Sequence, residues 1–183
     1  MHRQSITSAN LRVNTLYMTA SRNYILDEVI AAKKIRRMAL EIIEQNQEET
    51  ELILAGVDDN GSVIARNINN MILSLSDIRT TLITIALDKR RPAGISLSSQ
   101  PDFNDKVVII IDDVANSGRT LLYALKPFLE FHPRKIQTLI LVERSHNSFP
   151  VRPDYTGLSI ASTLQEHIYV EVEGEKVMGA YLA

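Results

Sequence analysis

The sequence predicts an α/β fold in which a parallel central sheet is covered by helices on both faces. Three observations carry this. The run Val107-Val108-Ile109-Ile110-Ile111 is five β-branched apolar residues without a polar break, the pattern of a strand buried on both sides. Apolar runs of strand length recur at residues 51–57, 81–87 and 135–142. Segments of helical spacing alternate with these runs across short turns, an order that sets ligand-binding turns at the carboxyl ends of the strands.

Residues 1–24 mix polar and apolar side chains with no firm period, and read as a frayed arm, an added strand or an oligomer contact. From Asp27 the pattern sharpens. Ile35, Met38, Ala39, Ile42 and Ile43 recur at helical spacing with Lys33, Lys34, Arg36, Arg37 and Glu41 between them, which predicts an amphipathic helix. Its four basic residues read as a solvated face or as part of an RNA-binding surface. Residues 51–57 predict a buried strand, Asp58-Asp59-Asn60-Gly61 a tight turn, and Ser62 the N-cap of a helix running to about Leu73. A strand follows at 81–87. Lys89-Arg90-Arg91-Pro92-Ala93-Gly94 and onward to Asp105 reads as a loop leading into the central strand, with Lys89-Arg90-Arg91 either a solvated run or a phosphate contact.

After that strand Asp112 and Asp113 stand where the chain must leave the hydrophobic layer, on the same sheet edge as the Asp58 turn. Ser117-Gly118-Arg119-Thr120 then turns into a helical segment marked by Leu121, Leu122, Ala124, Leu125, Phe128 and Leu129. Residues 135–142 give a further strand. Residues 167–173 alternate as an edge or late antiparallel strand. With no repeat, low-complexity stretch or linker, the reading is one domain over residues 1–183.

Composition narrows the function. The 183 residues contain no cysteine, which excludes disulfides, thiolate metal sites and a cysteine nucleophile, and is compatible with a reducing cytosol. A net charge of −2 gives no global attraction to nucleic acid. The amino-terminal stretch lacks the apolar core of a signal peptide, and no apolar run reaches the ~18 residues that span a bilayer, so a cytoplasmic, membrane-free protein is expected.

The central run carries the chemistry. Backbone N–H groups, a glycine that permits close approach and the hydroxyls of Ser117 and Thr120 suit a phosphate monoester. Asp112 and Asp113 suit sugar hydroxyls or a divalent cation such as Mg²⁺. Together they point to a phosphorylated ribose. For any one of these residues alone, an ordinary capped strand-loop-helix would serve as well.

An apolar strand, Asp112-Asp113, three residues, then Ser117-Gly118-Arg119-Thr120 resembles the phosphoribosyl pyrophosphate (PRPP) signature of type I phosphoribosyltransferases. Within them the chain is most similar to the PyrR group, pyrimidine-operon attenuators that also act as uracil phosphoribosyltransferases. The resemblance runs from about Ile30 to about Val172. It takes in Glu41-Ile42-Ile43-Glu44, residues 54–65, Leu141-Val142-Glu143-Arg144-Ser145-His146 and Pro150-Val151-Arg152-Pro153-Asp154-Tyr155-Thr156-Gly157. It implies a Rossmann-like sheet with a small hood, and transfer of ribose 5-phosphate from PRPP to a base, with Mg²⁺ on the departing pyrophosphate. It also implies that Asp112 and Asp113 hold the ribose hydroxyls as catalytic and metal-binding carboxylates. Ala115, Asn116, Ser117, Gly118, Arg119 and Thr120 would cradle the 5-phosphate. Val142, Glu143 and Arg144 match the segment that presents backbone groups to the base, and His146 reads as a surface histidine. A homo-oligomer is expected on the same ground.

Two features depart from the group. Where its members carry a Thr-Arg pair for the pyrophosphate, this chain has Asp58, Asp59 and Asn60. At an effective dielectric near 20, a unit charge ~6 Å from a phosphate contributes roughly 3 kcal/mol with either sign. The loop between Leu87 and Val107 is also short for a lid, and a lid keeps water from PRPP. Asn116 stands where purine transferases carry an aspartate, and it cannot act as a base, which favours a pyrimidine. Two functions follow: a uracil-type phosphoribosyltransferase, or a catalytically impaired regulator that binds a nucleoside monophosphate such as UMP and acts on an RNA or protein partner.

Overall fold

The computed structural model describes residues 22–88, 94–146, 148–161 and 166–183. In chain order these form β1 (Asn23–Asp27), α1 (Glu28–Gln45), β2 (Glu51–Val57), α2 (Asp58–Leu75), β3 (Arg79–Leu87), β4 (Ile95–Leu97), β5 (Val107–Ala115) and α3 (Arg119–Ala124). A 3-10 helix (Lys126–Glu130), β6 (Lys135–Arg144), β7 (Tyr155–Ile160), β8 (Ile168–Glu173) and β9 (Lys176–Leu182) follow. The expected parallel sheet is present, in the order β4-β3-β2-β5-β6-β7, with only β4 antiparallel to its neighbour.

Alternation along the strands builds two cores. Leu52, Leu54, Ile109, Ile111, Leu139 and Leu141 point to the side where α1 and α2 pack with Ile35, Met38, Ile42, Ile64 and Ile68. Ile53, Ala55, Val108, Ile110 and Ile140 point to the other side, under Phe103, Leu121, Ala124 and Phe128. All five residues of the β5 apolar run are fully buried, because both faces of the strand are covered. Each such side chain contributes roughly 1.5–3 kcal/mol of transfer free energy.

Several boundaries differ from expectation. The predicted turn at Asp58-Asp59-Asn60-Gly61 is the first turn of α2, and Ser62 is not its cap. The Ser62 hydroxyl lies buried 3.1 Å from the Thr84 hydroxyl. The chain does bend sharply here, with Asp58 in the left-handed region at φ 50, and helix follows at once. β5 runs on through both carboxylates to Ala115, because β6 is long enough to pair with Val114 and Ala115 at Val142 and Glu143. The segment after Gly118 makes one short helix and then a 3-10 turn containing Pro127, which has no N–H to continue an α-helix. Within the stretch read as loop, residues 95–97 form the edge strand β4.

A second sheet of three strands, ordered β1-β9-β8 and antiparallel throughout, makes the hood. Residues 22–24, read as arm, lead into and join its strand β1, so the added-strand reading holds for Asn23 and Tyr24; residues 1–21 and Lys89-Arg90-Arg91 lie outside the described residues. Asp27 ends β1 and caps α1, accepting the Ile30 N–H at 2.7 Å. The basic face of α1 is exposed at Lys33, Arg36 and Arg37 and half-buried at Lys34, and the Arg37 guanidinium pairs with Glu41 and donates to the Thr156 carbonyl on edge strand β7 at 2.5 Å.

Candidate active site

The site begins with two close approaches. A Cβ on Gly56 would stand 2.5 Å from the Ser62 Cα, and one on Gly61 would stand 2.6 Å from the Ile111 carbonyl oxygen. Glycine at both positions lets the first turn of α2 lie directly on β2 and β5. Asn60 is thereby brought beside the end of β5. Asp58 faces the other way, accepting the Leu87 N–H at 3.2 Å through Oδ1.

The adjacent carboxylates are not equivalent. Successive residues of a strand point to opposite faces, and Asp112 is fully buried, its Oδ1 accepting the Asp113 N–H at 2.9 Å. Asp113 reaches the cavity at the sheet edge. Its Oδ1 accepts the Val114 N–H at 2.9 Å and its Oδ2 accepts the Asn60 side-chain amide at 2.8 Å.

From Asp113 the chain wraps around a cavity of about 440 Å³, lined by every residue from Ala115 to Thr120. Gly118 makes the turn in the left-handed region at φ 79, where a Cβ would be strained and would meet the Val151 carbonyl at 3.1 Å. The Ser117 carbonyl accepts the N–H groups of both Ser148 and Phe149 at 3.0 Å, which braces the loop from behind. Ile168, Tyr169 and Val170 of β8 form the facing wall. Asn60 touches both walls: besides Asp113, its amide donates to the Val170 carbonyl at 3.2 Å.

The sequence-selected residues thus fall into two groups. Asp113, Asn60 and residues 115–120 share the cavity. Asp112, Asp58, exposed Asp59, Val142, Glu143 and Arg144 are not among its lining. Val142 is fully buried, and Arg144 is 6% exposed with its guanidinium donating to the Glu166 carbonyl. His146 is exposed. Missed by sequence reasoning were the hood residues of the wall; the alternation at 167–173 signalled a strand but not where it packs.

No group of three or more metal-binding side chains occurs among the described residues. Among the described residues that line the cavity, Asp113 is the one carboxylate, and it suits a Mg²⁺ that keeps most ligands from water and substrate phosphates, as Mg²⁺ usually does. No helix among the described residues is long and apolar enough to cross a membrane.

A cavity of about 440 Å³ at the carboxyl ends of a parallel sheet, with a glycine-turned loop, a carboxylate and a hood, is the arrangement expected of a phosphoribosyltransferase. The phosphoribosyl transferase domain model matches residues 21–173, and the chain belongs to that family. Among curated proteins it is similar to the bifunctional protein PyrR of Clostridioides difficile, 34% identical over 82% of this chain and 93% of the relative. The PyrR of Clostridium acetobutylicum is 32% identical over 82% and 90%. The fold matches a hypoxanthine-guanine phosphoribosyltransferase of Bacillus anthracis with a TM-score of 0.65 at 19% identity, covering 80% of this chain and 85% of that one. A Trypanosoma cruzi hypoxanthine phosphoribosyltransferase complexed with the product IMP matches with a TM-score of 0.70 at 16% identity, over 80% and 74%.

Proposed function

We propose that the protein transfers ribose 5-phosphate from PRPP to a pyrimidine base such as uracil. The observation that carries this is the shared cavity of Asp113 and residues 115–120, a carboxylate for the ribose diol beside a cradle for the 5-phosphate. The pyrimidine rests on the relatives named bifunctional protein PyrR and on Asn116, an amide that cannot take a proton from a purine ring.

In this reading residues 115–120 anchor the phosphate and Asp113 orients the sugar, so that the bond from C1 to the diphosphate oxygen lies in line with the incoming base nitrogen. That bond breaks with its electron pair leaving on the diphosphate, the C–N bond forms, and the N–H proton of the base passes to the departing diphosphate. The positive charge that develops on the ribose ring is stabilised by the nearby carboxylate, and the hood wall at Ile168, Tyr169 and Val170 excludes water. Asp113 would be the residue to hold Mg²⁺, which would supply charge neutralisation of the leaving diphosphate. The family supports a cytoplasmic homo-oligomer as the working form.

A second reading has its own observation: the first turn of α2, next to the cavity residue Asn60, carries Asp58 and Asp59 and no cation for a diphosphate. A protein that binds nucleoside monophosphate and regulates an RNA or protein partner needs only the ribose-phosphate half. Calorimetry with PRPP, ribose 5-phosphate and UMP, each with and without Mg²⁺, separates the two. Tighter, Mg²⁺-dependent binding of PRPP than of ribose 5-phosphate, followed by turnover with uracil, supports transfer. UMP binding without any gain from the diphosphate supports the regulator and overturns transfer.

A further inference from the structure

Asn60 stands in the first turn of α2, and its side chain turns toward the end of β5. Its two amide hydrogens serve two acceptors on opposite walls of the cavity, the Asp113 carboxylate at 2.8 Å and the Val170 carbonyl at 3.2 Å. The rest of the hood is tied elsewhere. The Asn67 amide donates to the Glu175 carbonyl at 2.9 Å, Arg144 holds the Glu166 carbonyl, and Ile168 and Val170 are buried in the core beside α1 and α2. Those ties hold the hood in place away from the sugar side of the cavity, whereas Asn60 joins it to the carboxylate that meets the ribose.

We propose that Asn60 is a positioning residue that couples the ribose-binding carboxylate to the hood, so that a ribose 5-phosphate diol engaging Asp113 is felt at β8 while phosphate alone is not. The inference rests on the ribosyl reading of the cavity. The physical cause is the matching of donors to acceptors. A carboxylate and a carbonyl facing one cavity repel unless a donor stands between them, and a primary amide supplies one hydrogen to each. With Asn60 present, Asp113 is held in one orientation and β8 at one distance from it, so the sugar meets a preformed pair of walls. Inorganic phosphate meets the loop of residues 115–120 and leaves the pair untouched.

The test uses Asn60→Ala, which removes the donor, and Asn60→Asp, which keeps the shape and adds a third acceptor. Ribose 5-phosphate and inorganic phosphate are titrated by calorimetry, and hydrogen exchange is followed in β8 with each ligand. In the unaltered protein, ribose 5-phosphate slows exchange across β8 and phosphate does not. In both variants ribose 5-phosphate affinity falls by about tenfold or more and its protection of β8 is lost, the scale of a charge-assisted hydrogen bond. In Asn60→Ala, which adds no charge, phosphate affinity and exchange in β5 stay within about threefold, which a general loss of stability would not allow. Variants that keep both ribose 5-phosphate affinity and β8 protection overturn the coupling alone. Ribose 5-phosphate that binds the unaltered protein no better than phosphate overturns the coupling and the ribosyl reading together.

Discussion

The side-chain amide of Asn60 and the carboxylate of Asp113, 53 residues apart, meet at 2.8 Å between the first turn of α2 and the end of β5. The contact exists because Gly61 lets α2 lie on the Ile111 carbonyl, and it marks Asp113 as the carboxylate turned toward the cavity. Asp112, its neighbour, turns into the protein.

Substitution should therefore separate the two aspartates. Asp113→Asn is expected to lower ribose 5-phosphate affinity about tenfold or more with little change in stability, since a charge-assisted contact to the sugar is lost. Asp112→Ala leaves the buried Asp113 N–H without its 2.9 Å acceptor and is expected to destabilise the fold by about 1–3 kcal/mol. Urea unfolding and calorimetry on the same two variants check both; equal effects on binding with no stability difference would contradict the assignment.

Gly61→Ala tests the approach of α2 to β5. The added methyl would sit 2.6 Å from the Ile111 carbonyl oxygen and 3.3 Å from the Asp112 Cα, and backbone cannot step aside as a side chain can. The helix must shift, at a cost of about 1–3 kcal/mol, with the melting temperature falling by several degrees.

Charge at the head of α2 tests where a diphosphate would bind. Asp59 is exposed in the first turn, so Asp59→Arg leaves the core undisturbed while reversing the local field. PRPP affinity relative to ribose 5-phosphate is expected to rise by up to about tenfold at low salt, and the gain should shrink as salt screens it. A ratio indifferent to the substitution would place the diphosphate elsewhere.

Tyr155 supplies a pH dependence remote from the site. Its hydroxyl donates to Gln45 Oε1 at 3.1 Å, and burial pushes the phenol from 10.0 up to about 12. The unfolded phenol releases its proton first, so its stabilising contribution is complete below pH 10 and is lost as pH rises toward about 12. Denaturant midpoints measured across this range should fall more steeply for the unaltered protein than for Tyr155→Phe.

Much of the fold was legible because it is local. A run of five β-branched residues can be little but a doubly covered strand, and Ile35, Met38, Ala39 and Ile42 announce α1 by spacing alone. The turn at residues 117–120 was legible for the same reason, since a glycine among small hydroxyl residues is what a sharp strand-to-helix turn requires. Asp58-Asp59-Asn60-Gly61 misled because good turn residues are also good first-turn residues, and only the packing at Gly56 and Gly61 shows helix starting at Asp58.

By itself, then, the sequence determined the parallel sheet, the order of its main elements and the glycine turn that follows the central strand, all properties of residues near one another in the chain. Tertiary structure alone decided which aspartate faces the cavity, that Asn60 bridges it to Val170, and that β8 closes the opposite wall. These depend on contacts between residues tens of positions apart, set by register, by strand length and by the space two glycines leave open.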